Sequence, residues 1–260
     1  MDSEAPKIYE KTERVNGFEC GFDRRWKPAA FFQHLTEAAG EHAEALGFGF
    51  DKMLERNLFW IHSRMKIRFA DFPKPYDLIT IRTWPKTIQQ KLFFIRDFEV
   101  LNSAGQRIAT ATSAWLVIDA TTRRMVPTQV LNLSLPATPG RAGLDEALEK
   151  LPPSAYGEEK LRVKAGYSAV DMLGHVNNSR YIEWICDSFP LEQYRSNTLD
   201  WMQINYDHEV RPGEEVSIMT TNYDSDADLW KIEGMNQSNP GRAFDAQLHW
   251  RRNSEGELPK

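Results

Sequence analysis

The 260-residue chain states one plan twice, at an offset of about 137 residues, and that self-similarity limits the possible folds more than any other feature. In the first half Ile67-Arg68-Phe69 leads through Pro73 and Pro75 to Asp77-Leu78-Ile79; in the second, Ile204-Asn205-Tyr206 leads through Pro212 to Glu214-Glu215-Val216. Each time a strand-like run meets a proline turn and restarts as a strand, over residues 79–84 and 216–220. A hairpin follows in both halves. The first occupies residues 93–100 and 108–117 around Asn102-Ser103-Ala104-Gly105. The second occupies 229–233 and 243–250 around Asn239-Pro240-Gly241, so that Trp115 and Trp250 fall at similar late positions.

Each half also opens with a helix. Phe31, Leu35, Ala38, Ala39, His42 and Leu46 recur at helical spacing, with Gly47 and Gly49 as stop signals. Tyr181, Ile182, Ile185 and Cys186 share a stripe that ends at Pro190. Pro136, Pro139, Gly140, Gly143, Pro152 and Pro153 mark a connecting segment, within which residues 144–151 are spaced for a short helix. The reading is therefore an N-terminal domain over 1–135, a linker over 136–158 and a C-terminal domain over 159–260. One helix followed by four or five antiparallel strands, twice over, is an α+β plan in which each sheet wraps its own apolar helix. It resembles a tandem (double) hot-dog fold.

Hydrophobic content of 41% and aromatic content of 12% supply a core for such a chain. The net charge of −5 argues against binding nucleic acid, leaving the local clusters Arg24-Arg25-Trp26-Lys27, Arg64 to Arg68 and Arg123-Arg124 as docking patches or solvated faces. Cys20 and Cys186 have neither metal-ligand spacing nor the pattern of a disulfide framework, and His34, His42, His62 and His249 lack partners at ligand spacing, so no metal and no cofactor is expected. Residues 1–10 resemble neither a secretory signal nor a transit peptide, and no apolar run reaches the roughly 20 residues of a membrane span. The expectation is a cytoplasmic protein.

Chemistry concentrates in Asp171-Met172-Leu173-Gly174-His175-Val176-Asn177-Asn178, just where the second helical pattern begins. If that helix starts near Gly174, Asp171 and His175 converge on one small volume beside its first free amides. Gly174 has no Cβ, so its N–H can approach a ligand carbonyl. Amides and an imidazole suit an oxygen that gains negative charge, as in acyl transfer. Asp171 as a plain helix N-cap is the competing reading of the same residues.

The whole pattern resembles the acyl-acyl-carrier-protein thioesterases of plants and bacteria, a double hot-dog family. The resemblance rests on Phe32-Gln33-His34-Leu35-Thr36-Glu37-Ala38-Ala39, Asn57-Leu58-Phe59-Trp60, Arg64-Met65, Asp77-Leu78-Ile79, Thr83-Trp84 and Ala114-Trp115-Leu116-Val117 in the first half. In the second half it rests on residues 171–184 and Asn205-Tyr206-Asp207-His208-Glu209. It implies hydrolysis of fatty acyl thioesters on acyl carrier protein, in fatty acid biosynthesis, with the catalytic groups in the C-terminal half and the acyl tunnel in the N-terminal half.

By position, Asp171, His175 and Glu209 match the family's catalytic site, the roles of the two acids being exchangeable. Leu173 stands where many members have asparagine, so an amide's role there falls to Asn177 or to the Gly174 N–H. The resemblance also selects Phe31, Trp60, Arg64, Met65 and Thr83 for the tunnel, positions that a packed core would fill equally. Some plant members carry a cysteine just after the matching glutamate; Val210 is there instead, and Cys186 lies on the apolar helix stripe, so a Cys-His mechanism is rejected. The partner implied is an acyl carrier protein, and the chain is expected to be a monomer or a homodimer. An acyl-coenzyme A thioesterase, a non-catalytic acyl-binding or sensor module, and a hot-dog dehydratase are the alternatives.

Overall fold

A computed structural model of the chain describes residues 7–131, 133, 135, 136, 138, 140–152, 157–223 and 226–253. The elements of the first half are β1 (Tyr9–Arg14), α1 (Pro28–Ala45), α2 (Phe50–Glu55), β2 (Leu58–Phe69), β3 (Leu78–Gln89), β4 (Phe93–Asn102), β5 (Arg107–Asp119) and α3 (Thr128–Leu131). Those of the second are β6 (Glu158–Lys164), α4 (Asn178–Asp187), α5 (Leu191–Ser196), β7 (Asn197–Tyr206), β8 (Glu215–Tyr223), β9 (Asp226–Asn236) and β10 (Gly241–Arg252). By contacts the chain divides into one unit of Met1–Gly17 and Gln33–Leu148 and another of Phe18–Phe32 and Glu149–Lys260.

In the first unit the antiparallel strand order is β1-β3-β4-β5-β2, and in the second it is β7-β10-β9-β8-β6. The duplication is thus real at the level of pairing, and both expected hairpins form. A difference from the sequence reading is that each half opens on a strand, β1 or β6, ahead of its helix. Charged residues fill most of both short edge strands, so they carry little apolar signal, which is how exposed edges avoid pairing with other chains.

Each helix lays an apolar face on its sheet. Phe31, Phe32, Leu35, Ala38 and Ala39 of α1 are buried, and so is His42, whose Nδ1 lies 2.9 Å from Arg96 Nη1 on β4. On α4, Tyr181 stacks on Phe244 of β10 with ring centroids 5.1 Å apart. Phe189, just beyond it, packs edge-on against Trp230 and Trp250.

The connecting segment corrects one expectation: residues 144–151 form no helix. Leu144, Leu148 and Leu151 are buried, at a spacing that mimics a helical stripe. Their segment has no regular secondary structure, its carbonyls being taken by side chains rather than by helical amides. Lys86 Nζ donates to the Leu144 carbonyl at 3.0 Å and Arg64 Nη1 to that of Leu148 at 3.3 Å. Gln203 Nε2 donates to the Glu149 carbonyl at 2.7 Å, and Lys231 Nζ to that of Pro152. Gly143 lies so close to the first sheet that a Cβ there would stand 2.6 Å from the Ala111 carbonyl oxygen; its N–H donates to buried Asp97 at 2.7 Å. Pro139 and Pro153, which also marked this segment, lie outside the described residues.

Candidate active site

A hydrogen-bonded loop sets the site. Asp171 N–H donates to the His175 carbonyl at 2.9 Å, and Gly174 N–H to the Asp171 carbonyl at 3.0 Å, closing a tight turn in which Gly174 has φ +80°. That left-handed angle favours glycine over any residue with a Cβ. Val176 N–H then donates to the Val210 carbonyl at 2.8 Å, tying the loop to the segment after β7 that carries Glu209. As a result His175 Nε2 stands 3.1 Å from Glu209 Oε2, both side chains partly open to solvent.

The Glu209 segment is braced from behind. Arg242 donates to Asp207 at 2.6 Å and to Glu233 at 2.9 Å, and His208 Nδ1 lies 2.9 Å from the Arg242 carbonyl. Buried Tyr181 of α4 is hydrogen-bonded to the Val210 backbone, and burial raises its hydroxyl pKa. Asp207 and His208 are therefore structural neighbours of the glutamate.

Among the described residues Asp171 makes no side-chain bond to the imidazole; it organises the loop. Its Oδ1 accepts the Leu173 N–H at 2.9 Å and its Oδ2 the Asn177 side-chain amide at 3.4 Å. Asn177 is the N-cap of α4, its Oδ1 accepting the Ser179 N–H at 3.0 Å and the Ser179 hydroxyl at 2.7 Å. The helix begins at Asn178, not near Gly174. Both donors expected at an oxyanion, the Gly174 N–H and the Asn177 amide, are thus engaged within the loop. The N–H groups of His175 and Asn178 have no acceptor among the described residues, and Asn178 opens the helix. A capping asparagine followed by the first helical residue is the signal in the sequence that marks this amide.

Gly21 to Lys27 repeats the same frame without the chemistry. Gly21 N–H donates to the Arg25 carbonyl at 2.8 Å, Arg24 N–H to the Gly21 carbonyl at 3.0 Å and Lys27 N–H to the Glu19 carbonyl at 3.0 Å, matching Asp171, Gly174 and Asn177. The lone bridges Cys20 to Trp26 and Val170 to Val176 also correspond. Asp71 N–H donates to the Ile108 carbonyl as His208 N–H does to that of Ala243, which aligns Phe72 with Glu209. Gly21, Arg25 and Phe72 therefore replace the acid, the imidazole and the second acid, and one half alone carries the set.

The residues selected for the tunnel are dispersed. Met65 is buried on β2, whereas Arg64, the next position, points to the opposite face, where its guanidinium covers the Phe93 ring at 4.7 Å. Arg64 thus serves the connecting segment and does not share a lining with Met65. Trp60 donates from Nε1 to the Phe48 carbonyl at 2.8 Å, and buried Phe31 packs on Trp26 with centroids 4.4 Å apart. Buried Thr83 accepts from Arg96 Nη1 at 3.1 Å. Arg96, missed in the sequence, is held between His42 and Thr83, and burial pushes its pKa down to about 10. Its mark was a charged pair interrupting the aromatic run of β4. The Cys186 thiol is pushed up to about 12 by burial, which suits packing and not nucleophilic attack.

The family model of the acyl-ACP thioesterase N-terminal domain matches residues 6–131, and that of the C-terminal domain matches residues 153–253. A palmitoyl-acyl carrier protein thioesterase of Gossypium hirsutum is 28% identical over 85% of this chain, which spans 56% of that protein's length. An oleoyl-acyl carrier protein thioesterase of Arabidopsis thaliana is 28% identical over 88% of this chain and 67% of its own. Among solved structures, an acyl-ACP thioesterase from Bacteroides thetaiotaomicron superposes with a TM-score of 0.79 at 26% identity, over 94% of this chain and 98% of that one. The 12:0-ACP thioesterase of Umbellularia californica, at 21% identity, has the same fold with a TM-score of 0.79 over 96% of this chain and all of its own. With its α+β tandem hot-dog architecture and both family domains matched in order, the chain belongs to the acyl-ACP thioesterase family.

Proposed function

We propose that the chain hydrolyses fatty acyl thioesters of acyl carrier protein, releasing the free fatty acid and the carrier thiol. The observation that carries this reading is the His175–Glu209 pair, 3.1 Å apart beside the opening amide of α4, in a chain of this family.

Glu209 acts as the base. A water between it and the thioester gives up its proton to the carboxylate as its oxygen attacks the carbonyl carbon. His175 holds Glu209 in place. The oxygen that becomes negative is taken by the Asn178 N–H, where the dipole of α4 adds to the hydrogen bond. Collapse of the tetrahedral intermediate breaks the carbon–sulfur bond, and the proton on Glu209 passes to the leaving thiolate. Asp171 positions the loop through Leu173 and Asn177 and is exchanged with no substrate atom.

Thiol release from a panel of acyl-carrier and acyl-coenzyme A substrates tests this. Wild type is expected to release thiol and fatty acid, and Glu209→Gln to lose ~10² to 10⁴ in kcat, the usual range for a general base. A variant within a few fold of wild type removes Glu209 from that role. Absence of thiol release from every substrate leaves an acyl-binding module, and water elimination without thiol release marks a dehydratase.

A further inference from the structure

Arg25 takes the place of His175 in the silent loop, and its surroundings give it a different use. Its Nη1 donates to Thr198 Oγ1 at 2.6 Å. Thr198 is the cross-strand partner of Arg251, and the next pair joins Asn197 to Arg252, so Arg25 and Arg251 flank one threonine. Arg195 of α5 lies over the exposed ring of Phe22, 5.6 Å from its centroid, and its carbonyl accepts from Asn253 Nδ2 at 3.0 Å. Arg24, Arg25, Lys27, Arg195, Arg251 and Arg252 thereby gather at one end of the second unit.

We propose that this end is the docking face for a carrier of acidic surface, with Arg24 and Arg251 as its principal contacts; this rests on the carrier-linked substrate proposed above. Both are exposed and have no ion pair among the described residues. Two nearby acids are already engaged: Asp23 accepts the Arg25 N–H at 3.1 Å, and Glu192 lies 3.8 Å from Arg195. Gathering cations in a chain of net charge −5 is unfavourable by self-repulsion unless an anionic surface meets them.

The other basic runs do not offer this. Lys66 and Arg68 share Glu146, at 3.1 and 2.8 Å, and Arg123 covers Phe59. Around the catalytic loop the exposed side chains include the apolar Tyr167, Met172 and Leu173, suited to an acyl-pantetheine arm, with Arg211 as the cation beside Val210. The catalytic loop precedes the first residue of α4, and the charge of Lys27 is felt at Asp187, its last. A helix of 10 residues separates them by about 15 Å, a distance that a carrier's flexible arm bridges.

The test uses the double variant Arg24→Glu/Arg251→Glu, with Lys160→Glu/Arg162→Glu on β6 as the control. Binding of carrier protein lacking an acyl group is measured by calorimetry at low and high salt, together with hydrolysis of carrier-linked and pantetheine-linked substrate. Expected are an affinity loss of about tenfold or more in the double variant, a flattened salt dependence and unchanged kcat/KM for the pantetheine thioester. The control should bind as wild type does. Carrier binding within twofold of wild type overturns the proposal, as does an equal loss in the control or a parallel loss with the pantetheine substrate. A wild type that binds carrier but hydrolyses nothing sinks the hydrolase reading and leaves the docking face standing. One that hydrolyses the pantetheine thioester without binding carrier sinks the docking face alone.

Discussion

His175 Nε2 and Glu209 Oε2 stand 3.1 Å apart although one residue precedes α4 and the other follows β7. The Val176 to Val210 backbone bond is what brings the two segments together. Groups that act as a unit are not additive when removed. His175→Ala and Glu209→Gln are each expected to lower kcat by about 10² to 10⁴, and the double variant to fall little below the worse single one. Single-turnover thiol release measures all three; fully multiplicative losses would show that the two act independently.

Leu173 leaves the His175 N–H open, while in the silent loop Asp23 Oδ1 takes the Arg25 N–H at 3.1 Å. A side-chain oxygen at position 173 should therefore do for His175 what Asp23 does for Arg25. Leu173→Asn is expected to slow amide exchange at His175 by about fivefold, the equivalent of one ordinary hydrogen bond. Leu173→Ala should leave that exchange rate alone. Exchange read by NMR decides it, and identical rates in all three proteins would refute the assignment.

Gly143 is the closest approach of the connecting segment to the first sheet. Gly143→Ala places a methyl group 2.6 Å from the Ala111 carbonyl oxygen and 2.9 Å from that of Phe98, so the segment must lift and lose its bond to Asp97. A loss of about 1–3 kcal/mol is expected in urea unfolding, with faster tryptic cleavage after Arg141 and Lys150. Unchanged cleavage would mean that the segment is held elsewhere.

His62, buried and stacked on Trp115 with centroids 4.2 Å apart, has its pKa lowered to about 3 by burial. Its folded pKa lies below the ordinary 6.5, so stability is full above pH 6.5 and falls as the pH drops toward 3, because the unfolded chain takes up the proton first. At pH 5 the penalty is about 2 kcal/mol. His62→Phe keeps the stack and should remove that part of the acid sensitivity, as measured by unfolding free energy at pH 7 and pH 5. Parallel pH profiles for the two proteins would exclude His62 as a source.

What the sequence made legible was whatever has a period or a special residue. The hairpins around Asn102 and Gly241, the stripe of α1 and the gathering of Asp171 with His175 all follow from such marks. The edge strands β1 and β6 were missed because charged residues fill them. Leu144, Leu148 and Leu151 misled because helical spacing is also what an irregular segment can show when it drops leucines into separate gaps. The engagement of the Gly174 N–H and the Asn177 amide within the loop was not legible because the start of α4 depends on the cap at Asn177, and the separation of Arg64 from Met65 was not, because neighbours in sequence oppose each other on a strand.

Counted back from the turn asparagines Asn102 and Asn236, Asp97 and Lys231 occupy the same station on β4 and β9, yet one accepts from an N–H of the connecting segment and the other donates to a carbonyl. Duplication has thus ended in a polarised pair. A chain assembled from two C-terminal halves would set an ammonium group against the Gly143 amide, donor facing donor, and the order in which the halves are joined is now written into their buried charges.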